Sequence, residues 1–467
     1  MRGGLKSAGS AGSVRRRTAL WLAASLVALS AMVTWPAWSK AADPAPPLPS
    51  GLLGVTPSAA ASDLDMQRMM EAGATTIRHG LSWNAMQPRA DRPISFTKSD
   101  EFMATASGMG LSVDLLLSGT PTWARSSAEA TQWEPPLSSQ LARDGWKQFV
   151  QAVAERYGHD GTFWQEHPEL TYRPVAWTIW NEPNLDGFWD GPNSPPDFAR
   201  LVDISGSVLH QADPGGTVVV GGVFCGFRWK LFVERFYDFV HKQNFDAVAF
   251  HPYAESPYHA YELMLNGREL MDQAGDAGTP YWIDEISWGT EVGRHRFTGT
   301  PAQQASKMRI IFQILAYRLD RLRLGKLLWY GIRDDPTANV CQFCASSGLW
   351  KTGGQTPKPA WFVFKDFGSG AAGTIQGRVK RAGAGPLARQ AVFVDLNGNG
   401  SRDRGEPSTV TNTEGSYAFR NLVAARHEVR VDPRSGLTCR RPRGCTRNVD
   451  VEPGASVDGL TFVLRSR

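Results

Sequence analysis

The chain is poor in cysteine, in long apolar runs and in glycine-rich loops, and each shortage removes a class of function. Of its five cysteines, Cys341 and Cys344 make the one Cys-x-x-C pair. With no second pair there is no zinc motif, and no thioredoxin-like context supports a redox role. Apart from residues 18–33, TALWLAASLVALSAMV, no stretch is apolar enough to cross a membrane. The segment after the first strand candidate, GVTPSAAAS, lacks the glycines that a dinucleotide-binding open sheet places there. The first 40 residues contain no acid.

That acid-free start has a readable layout. Arg15, Arg16 and Arg17 precede the 16-residue apolar run, and small residues follow at Ser39 to Ala42. A basic start, a short apolar core and a small-residue site describe a secretory signal over residues 1–42. An uncleaved anchor is the competing reading, but the run is shorter than the roughly 20 residues a span needs. Residues 43–50, DPAPPLPS, read as a proline-rich spacer. The mature protein is then secreted or extracellular, with no membrane contact after cleavage. Export permits disulfides: Cys439 with Cys445 and Cys341 with Cys344 are the candidates, leaving Cys225 as a buried thiol. Residues 371–467 carry 16 Lys+Arg against 9 Asp+Glu, and residues 1–40 carry six bases. Since the whole chain is +5, the body between them is −8. A basic tail on an acidic body suggests attachment to an anionic cell-wall surface, or only a solvated face. No nucleic-acid partner is expected.

Hydrophobic content of 42% and 467 residues allow one large domain and a smaller one. Nearly continuous apolar runs fall at 51–57, 75–83, 112–119, 176–183, 218–224, 247–253, 281–288 and 326–334, as strands covered on both faces should read. Helical stretches separate them. Ser62 caps one at 62–72 with Asp65 in its first turn, another covers 138–158, and Thr300-Pro301 opens a third. Eight strand–helix pairs predict an α/β (β/α)8 TIM barrel over residues 51–367. Residues 368–373, GSGAAG, read as a linker, and short strands with polar turns predict a β-sandwich over 374–467.

In such barrels the chemistry gathers at the C-terminal ends of the strands. Glu182 ends the fourth strand and Glu285 the seventh, facing each other over the mouth. Two carboxylates at close range suit glycosidic hydrolysis, one protonated and one ionised, with retention or inversion set by their spacing. Asn181 can hydrogen-bond a sugar hydroxyl. Arg78 and Tyr253 can hold a carboxylate ionised. His251 is expected to touch substrate, and Trp83, Trp123, Trp288 and Trp329 to offer ring faces to sugar C–H surfaces.

The stretch WNEPN, with Glu182, resembles the acid/base motif of clan A glycoside hydrolases, and WNEPNLDGFW resembles family 39 in particular. That family includes β-xylosidases, α-L-iduronidases and biofilm-polysaccharide endoglycosidases. TTIRHGLSWNAMQP, LLLSGTPTWA, GTFWQEHPEL, FHPYA and LLWYGIRDD extend the likeness over roughly residues 51–365. The resemblance implies a retaining mechanism without a catalytic cofactor. Glu182 is then the acid/base, Glu285 the nucleophile, Asn181 the partner of the sugar 2-hydroxyl, and Tyr253 and Arg78 supports of the nucleophile. One departure stands out: the clan usually shows Thr-Glu at the nucleophile, and this chain has Asp284-Glu285. Asp284 is the rival nucleophile. By strand alternation it should point away from the mouth if Glu285 points in, and its charge should raise the pKa of Glu285.

A second motif lies in the tail. DLNGNGSRDRGE, residues 395–406, has the spacing of a twelve-residue calcium loop. Asp395, Asn397 and Asn399 take positions 1, 3 and 5. Ser401, Asp403 and Glu406 take 7, 9 and 12. Strands rather than helices flank it. With Gly415, Tyr417 and Phe419 in a G-x-Y-x-F pattern, the tail resembles the B-type repeat domains of bacterial adhesins, which implies bound Ca2+. A metal-free turn is the alternative.

Together these readings predict a secreted retaining glycosidase acting on a polysaccharide or oligosaccharide. The alternative is a catalytically inactive carbohydrate-binding or cell-wall-associated surface protein.

Overall fold

A computed structural model describes residues 48–172, 175–291, 293, 295–338 and 341–467. The expected signal and the start of the spacer lie outside the described residues. Eight parallel strands close into a barrel in sequence order, with β1 returning to pair β8. The strands are β1 (Leu53–Thr56), β2 (Thr76–Ser82), β3 (Ser112–Ser118), β4 (Ala176–Ile179), β5 (Thr217–Phe224), β6 (Ala247–His251), β7 (Tyr281–Ile286) and β8 (Leu324–Tyr330). The helices around them are α1 (Asp63–Glu71), α2 (Trp83–Met86), α3 (Thr97–Gly108), α4 (Gln140–Tyr157), α5 (Thr162–Glu166), α6 (Pro195–Ala212), α7 (Trp229–Tyr237), α8 (Pro257–Gln273), α9 (Pro301–Leu322) and α10 (Pro359–Gly368).

Local chemistry sets the helix starts. The Ser62 hydroxyl accepts from the Asp65 amide while the Asp65 carboxylate accepts from the Ser62 amide, a reciprocal cap. Thr300 and Gln303 repeat the arrangement in front of Pro301. Most strands are shorter than the apolar runs suggest. The run at 176–183 leaves the sheet after Ile179 because Trp180 and Glu182 take left-handed backbone angles, φ 66° and 43°. Gly331, φ 92°, ends β8 in the same way.

After α10 come β9 (Gly373–Arg381), β10 (Gly385–Pro386), β11 (Ala391–Asp395), β12 (Ser408–Val410), β13 (Ser416–Leu422), β14 (Ala425–Asp432), β15 (Leu437–Arg441), β16 (Thr446–Val451) and β17 (Ser456–Ser466). They form a sheet ordered β10-β9-β17-β15, with β13 also on β9, and a second sheet ordered β12-β11-β14-β16. Ile375, Val379, Val392, Val394, Phe419, Phe462 and Leu464 fill a core of their own. The sandwich docks on α8 and α9. The buried Gln313 amide donates to the Asn421 carbonyl (3.0 Å) and accepts from the Val423 amide (2.8 Å), closing two backbone groups that docking removes from water. Cys341–Cys344 and Cys439–Cys445 are bridged and Cys225 is a buried free thiol, as expected from the sequence.

Candidate active site

The segment after β4 carries the first carboxylate in a conformation held from several sides. Left-handed backbone costs a non-glycine residue on the order of 1–3 kcal/mol unless its surroundings impose it. Here the Trp180 amide donates to Leu117 O (3.0 Å), the Glu182 amide to Gly222 O (3.0 Å), and the Trp180 indole to Phe188 O (2.6 Å). Asn184 braces the turn against β5, donating to Phe224 O and accepting from Phe224 N. The approach requires glycines on β5: a Cβ on Gly221 would lie 2.0 Å from Trp180 O.

Glu182, Glu285 and His251 then meet. One carboxylate oxygen of each glutamate and Nδ1 of His251 all lie within 4.8 Å of one another. Nδ1 is 2.6 Å from Glu182 Oε1 and 3.5 Å from Glu285 Oε2. Glu285 also accepts from Arg78 Nη1 (2.8 Å) and from the Tyr253 hydroxyl (3.0 Å). Below this level sits Asp284, fully buried, in ionic contact with Arg78 Nη2 and with His251 Nε2, both at 3.1 Å. Arg78 Nε approaches Asp114 on β3 at 3.7 Å, and Asp114 accepts from Thr178 on β4. Arg78 and His251 thus stand among four carboxyl groups.

Electrostatics follow from that count. Burial raises the Glu285 pKa, the nearby Glu182 and Asp284 charges add to the rise, and His251 and Arg78 oppose it. The direction of the Asp284 contribution is the one expected from sequence. For Asp284 burial is outweighed by Arg78 and His251, which hold its carboxyl below the usual range. Burial lifts Asp114 to about 6 despite Arg78. Burial works against a charged His251, but Glu285, Asp284 and Glu182 reverse it and raise its pKa to about 10.

Three expectations need correction. Asp284 does not turn away from the barrel interior. The β7–β8 pairing is irregular between Ile283 and Ile286, so two consecutive side chains, Asp284 and Glu285, reach the same Arg78. His251 is not an open contact surface: it is 0% exposed and its ring nitrogens face carboxylates. Trp83, Trp288 and Trp329 offer no open ring face either. Each is buried, with its indole N–H satisfied inside, on Gln87 Oε1, Ala254 O and Ser347 O respectively. Trp83 packs against Trp123, Trp146 and Phe149. Trp123 is half-buried and is the member of that set with surface to present. Asn181 is buried, and its Oδ1 has no hydrogen-bond partner among the described residues.

Asp114, Thr178 and Gly222 were not singled out in the sequence. A lone carboxylate inside the apolar run SVDLLLS was the available signal for the first. Phe343, between the bridged cysteines, packs on Tyr253 at 5.1 Å. Two surface hollows lie elsewhere, one lined by Lys147, Asp203 and His241, the other by Leu48, Thr75 and Phe367. Neither gathers comparable acid–base groups, so the barrel mouth is the candidate on chemical grounds.

In the tail loop, Asn397 and Asn399 both donate to Asp403 Oδ2 (2.7 and 2.8 Å). Asp395 accepts from the Gly398 and Gly400 amides. Glu406 folds back to accept from Leu396 N and Asp403 N. Positions 3, 5 and 9 are thus tied together by side-chain amides, and position 12 closes the loop on backbone amides.

No family model matches the chain, and no curated protein does. Solved structures do. A family 39 glycoside hydrolase from the gut symbiont Bacteroides cellulosilyticus WH2 superposes with a TM-score of 0.53 at 14% identity, covering 86% of this chain and 79% of that one. A monomeric β-xylosidase from Caulobacter crescentus CB15 gives 0.53 at 17%, over 85% and 76%. The GH39 enzyme from Xanthomonas axonopodis pv. citri gives 0.52 at 14%, over 81% and 92%. At these identities the likeness is one of fold.

Proposed function

We propose that this chain is a glycoside hydrolase that cleaves O-glycosidic bonds of a polysaccharide or oligosaccharide with retention. The observation that carries the reading is the approach of Glu182 and Glu285 to within 4.8 Å, from the ends of β4 and β7. An approach of one oxygen from each to that range suits a double displacement, for which the carboxyl groups stand about 5–5.5 Å apart, better than the roughly 6.5–9.5 Å of an inverting enzyme. In the first step Glu285 attacks the anomeric carbon while Glu182 gives its proton to the departing oxygen. In the second, Glu182 takes a proton from water as that water displaces Glu285 from the sugar. Arg78 and Tyr253 keep the Glu285 carboxylate aimed, and the free Oδ1 of Asn181 suits a sugar hydroxyl. The shared fold with solved structures described as a family 39 glycoside hydrolase and a β-xylosidase supports the same chemistry.

The test is a panel of polysaccharides and aryl glycosides incubated with the mature chain, with the anomeric product followed by NMR. Initial release of the inverted anomer, or no turnover on any member, overturns the reading. A mechanism-based fluorosugar should label Glu285; labelling of Asp284 would transfer the nucleophile's role.

The accessory readings belong to the same proposal. The chain is exported by its leader and carries a sandwich resembling an adhesin B-type repeat. Asp395, Asn397, Asn399, Asp403 and Glu406 hold Ca2+ with the Ser401 carbonyl, where the ion has a structural role. The basic tail meets an anionic wall surface, and pull-down on wall polymer across a salt series tests that contact.

A further inference from the structure

The Asp-Glu pair on β7 has a consequence for the acid on β4. Asp284 is fully buried, and among the described residues neither its carboxylate oxygens nor His251 Nε2 makes an aligned hydrogen bond, so the two meet as an ionic contact. Two nitrogen-bearing side chains approach it at 3.1 Å, the Arg78 guanidinium and the His251 imidazole. The fold clears space for the second. A Cβ on Gly222 would sit 2.0 Å from His251 Nε2 and 2.8 Å from Asp284 Oδ1, so β5 holds a glycine where the histidine and aspartate meet. On its other side the same imidazole lies 2.6 Å from Glu182 and 3.5 Å from Glu285.

We infer that Asp284 is a positioning residue: it holds His251 through Nε2 as a doubly protonated ring, whose Nδ1–H serves Glu182 and Glu285 in turn. The consequence for turnover rests on the glycosidase reading. Before reaction the charge sits on Glu285. Once Glu285 is joined to the sugar and Glu182 has passed its proton to the leaving oxygen, the charge sits on Glu182, 2.6 Å from the same N–H. The imidazolium gains and loses no proton in the cycle. It stays in place while the negative charge moves from one glutamate to the other. The groups facing it are Glu182 after β4, Asp284 and Glu285 from β7 and Tyr253 beyond β6, with Arg78 and Asp114 behind Asp284. Their summed charge favours the doubly protonated ring, in line with its raised pKa.

Two measurements test this. The first is 15N NMR of the histidine side chains at pH 8, with His251 assigned by its loss in His251→Gln. Both ring nitrogens should be protonated in the wild type, and one should be bare in Asp284→Asn. A wild-type ring with one bare nitrogen at pH 8 overturns the inference whether or not the variant folds. The second is the pH profile of kcat/KM. Asp284→Asn should lower turnover and displace the alkaline limb, because the ring 2.6 Å from Glu182 is no longer held in its charged form. A profile reduced in height with unmoved limbs would mark a merely structural residue and overturn the inference. If the wild type hydrolyses no glycoside, the glycosidase reading fails by itself, and the NMR measurement still decides the role of Asp284.

Discussion

Tyr258 on α8 donates a 3.0 Å hydrogen bond to Glu406, the last position of the tail loop. The barrel and the sandwich therefore meet at the residue that closes the proposed cation site. Tyr317 reinforces the contact by donating to Ser408 O on β12. Calcium added to the whole chain should raise its melting temperature relative to chelator, by about 2.7 kcal/mol of stabilisation when the ion is at a hundred times its Kd. Glu406→Gln should remove most of that gain. Equal melting in calcium and chelator would favour the metal-free turn.

Glu182→Gln removes the transferable proton and keeps the shape of the side chain. Hydrolysis of an unactivated polymer should fall by about 10²–10⁴-fold, with the melting temperature nearly unchanged. Wild-type turnover in this variant would end the acid/base assignment.

Tyr253→Phe deletes one donor to Glu285 and leaves Arg78 in place. A carboxylate that loses a hydrogen bond is easier to protonate. The acid limb of the rate profile should move to higher pH, with kcat reduced about tenfold or more. An unshifted limb would mean that the phenol only packs.

His251 makes the stability of the fold depend on pH. Its folded pKa of about 10 lies above the ordinary 6.5, so the native state binds the proton more tightly than the unfolded chain. The stabilisation is complete below 6.5 and is lost as pH rises through about 10. Melting temperature should fall from pH 7 to 10, and His251→Gln should flatten that slope while lowering the curve as a whole. A wild type with no such slope would contradict the charged histidine.

Trp83→Ala separates core from platform. Removing a fully buried indole should destabilise by about 3–5 kcal/mol, whereas sugar affinity of the remaining folded protein should hold. Trp123→Ala should show the reverse ranking.

The barrel was legible because each strand is buried on both faces and reads as an apolar run, and because caps such as Ser62 and Thr300 mark where helices begin. That Glu182 and Glu285 would meet was legible because strand ends converge in a closed barrel. Asp284 was misplaced because alternation assumes a regular strand, and the irregular β7–β8 pairing is a tertiary event with no signature in YWIDEISW. The tryptophans were misjudged for a related reason. A ring near a strand end reads the same whether it lines the mouth or lies beneath it, and for Trp288 and Trp329 the deciding groups, the Ala254 and Ser347 carbonyls, are remote in sequence. The role of Gly222 was invisible until His251 and Asp284 stood beside it.

The bridge between Cys341 and Cys344 has a reach beyond its own hairpin. It brackets Phe343, Phe343 leans on Tyr253, and Tyr253 steadies Glu285. A thiol-rich compartment would unclip the first link of that chain and leave both glutamates chemically intact but one of them less firmly aimed. On the proposed glycosidase reading, reduction of this bridge should lower turnover while both glutamates remain, a difference that rates before and after a thiol reductant would measure.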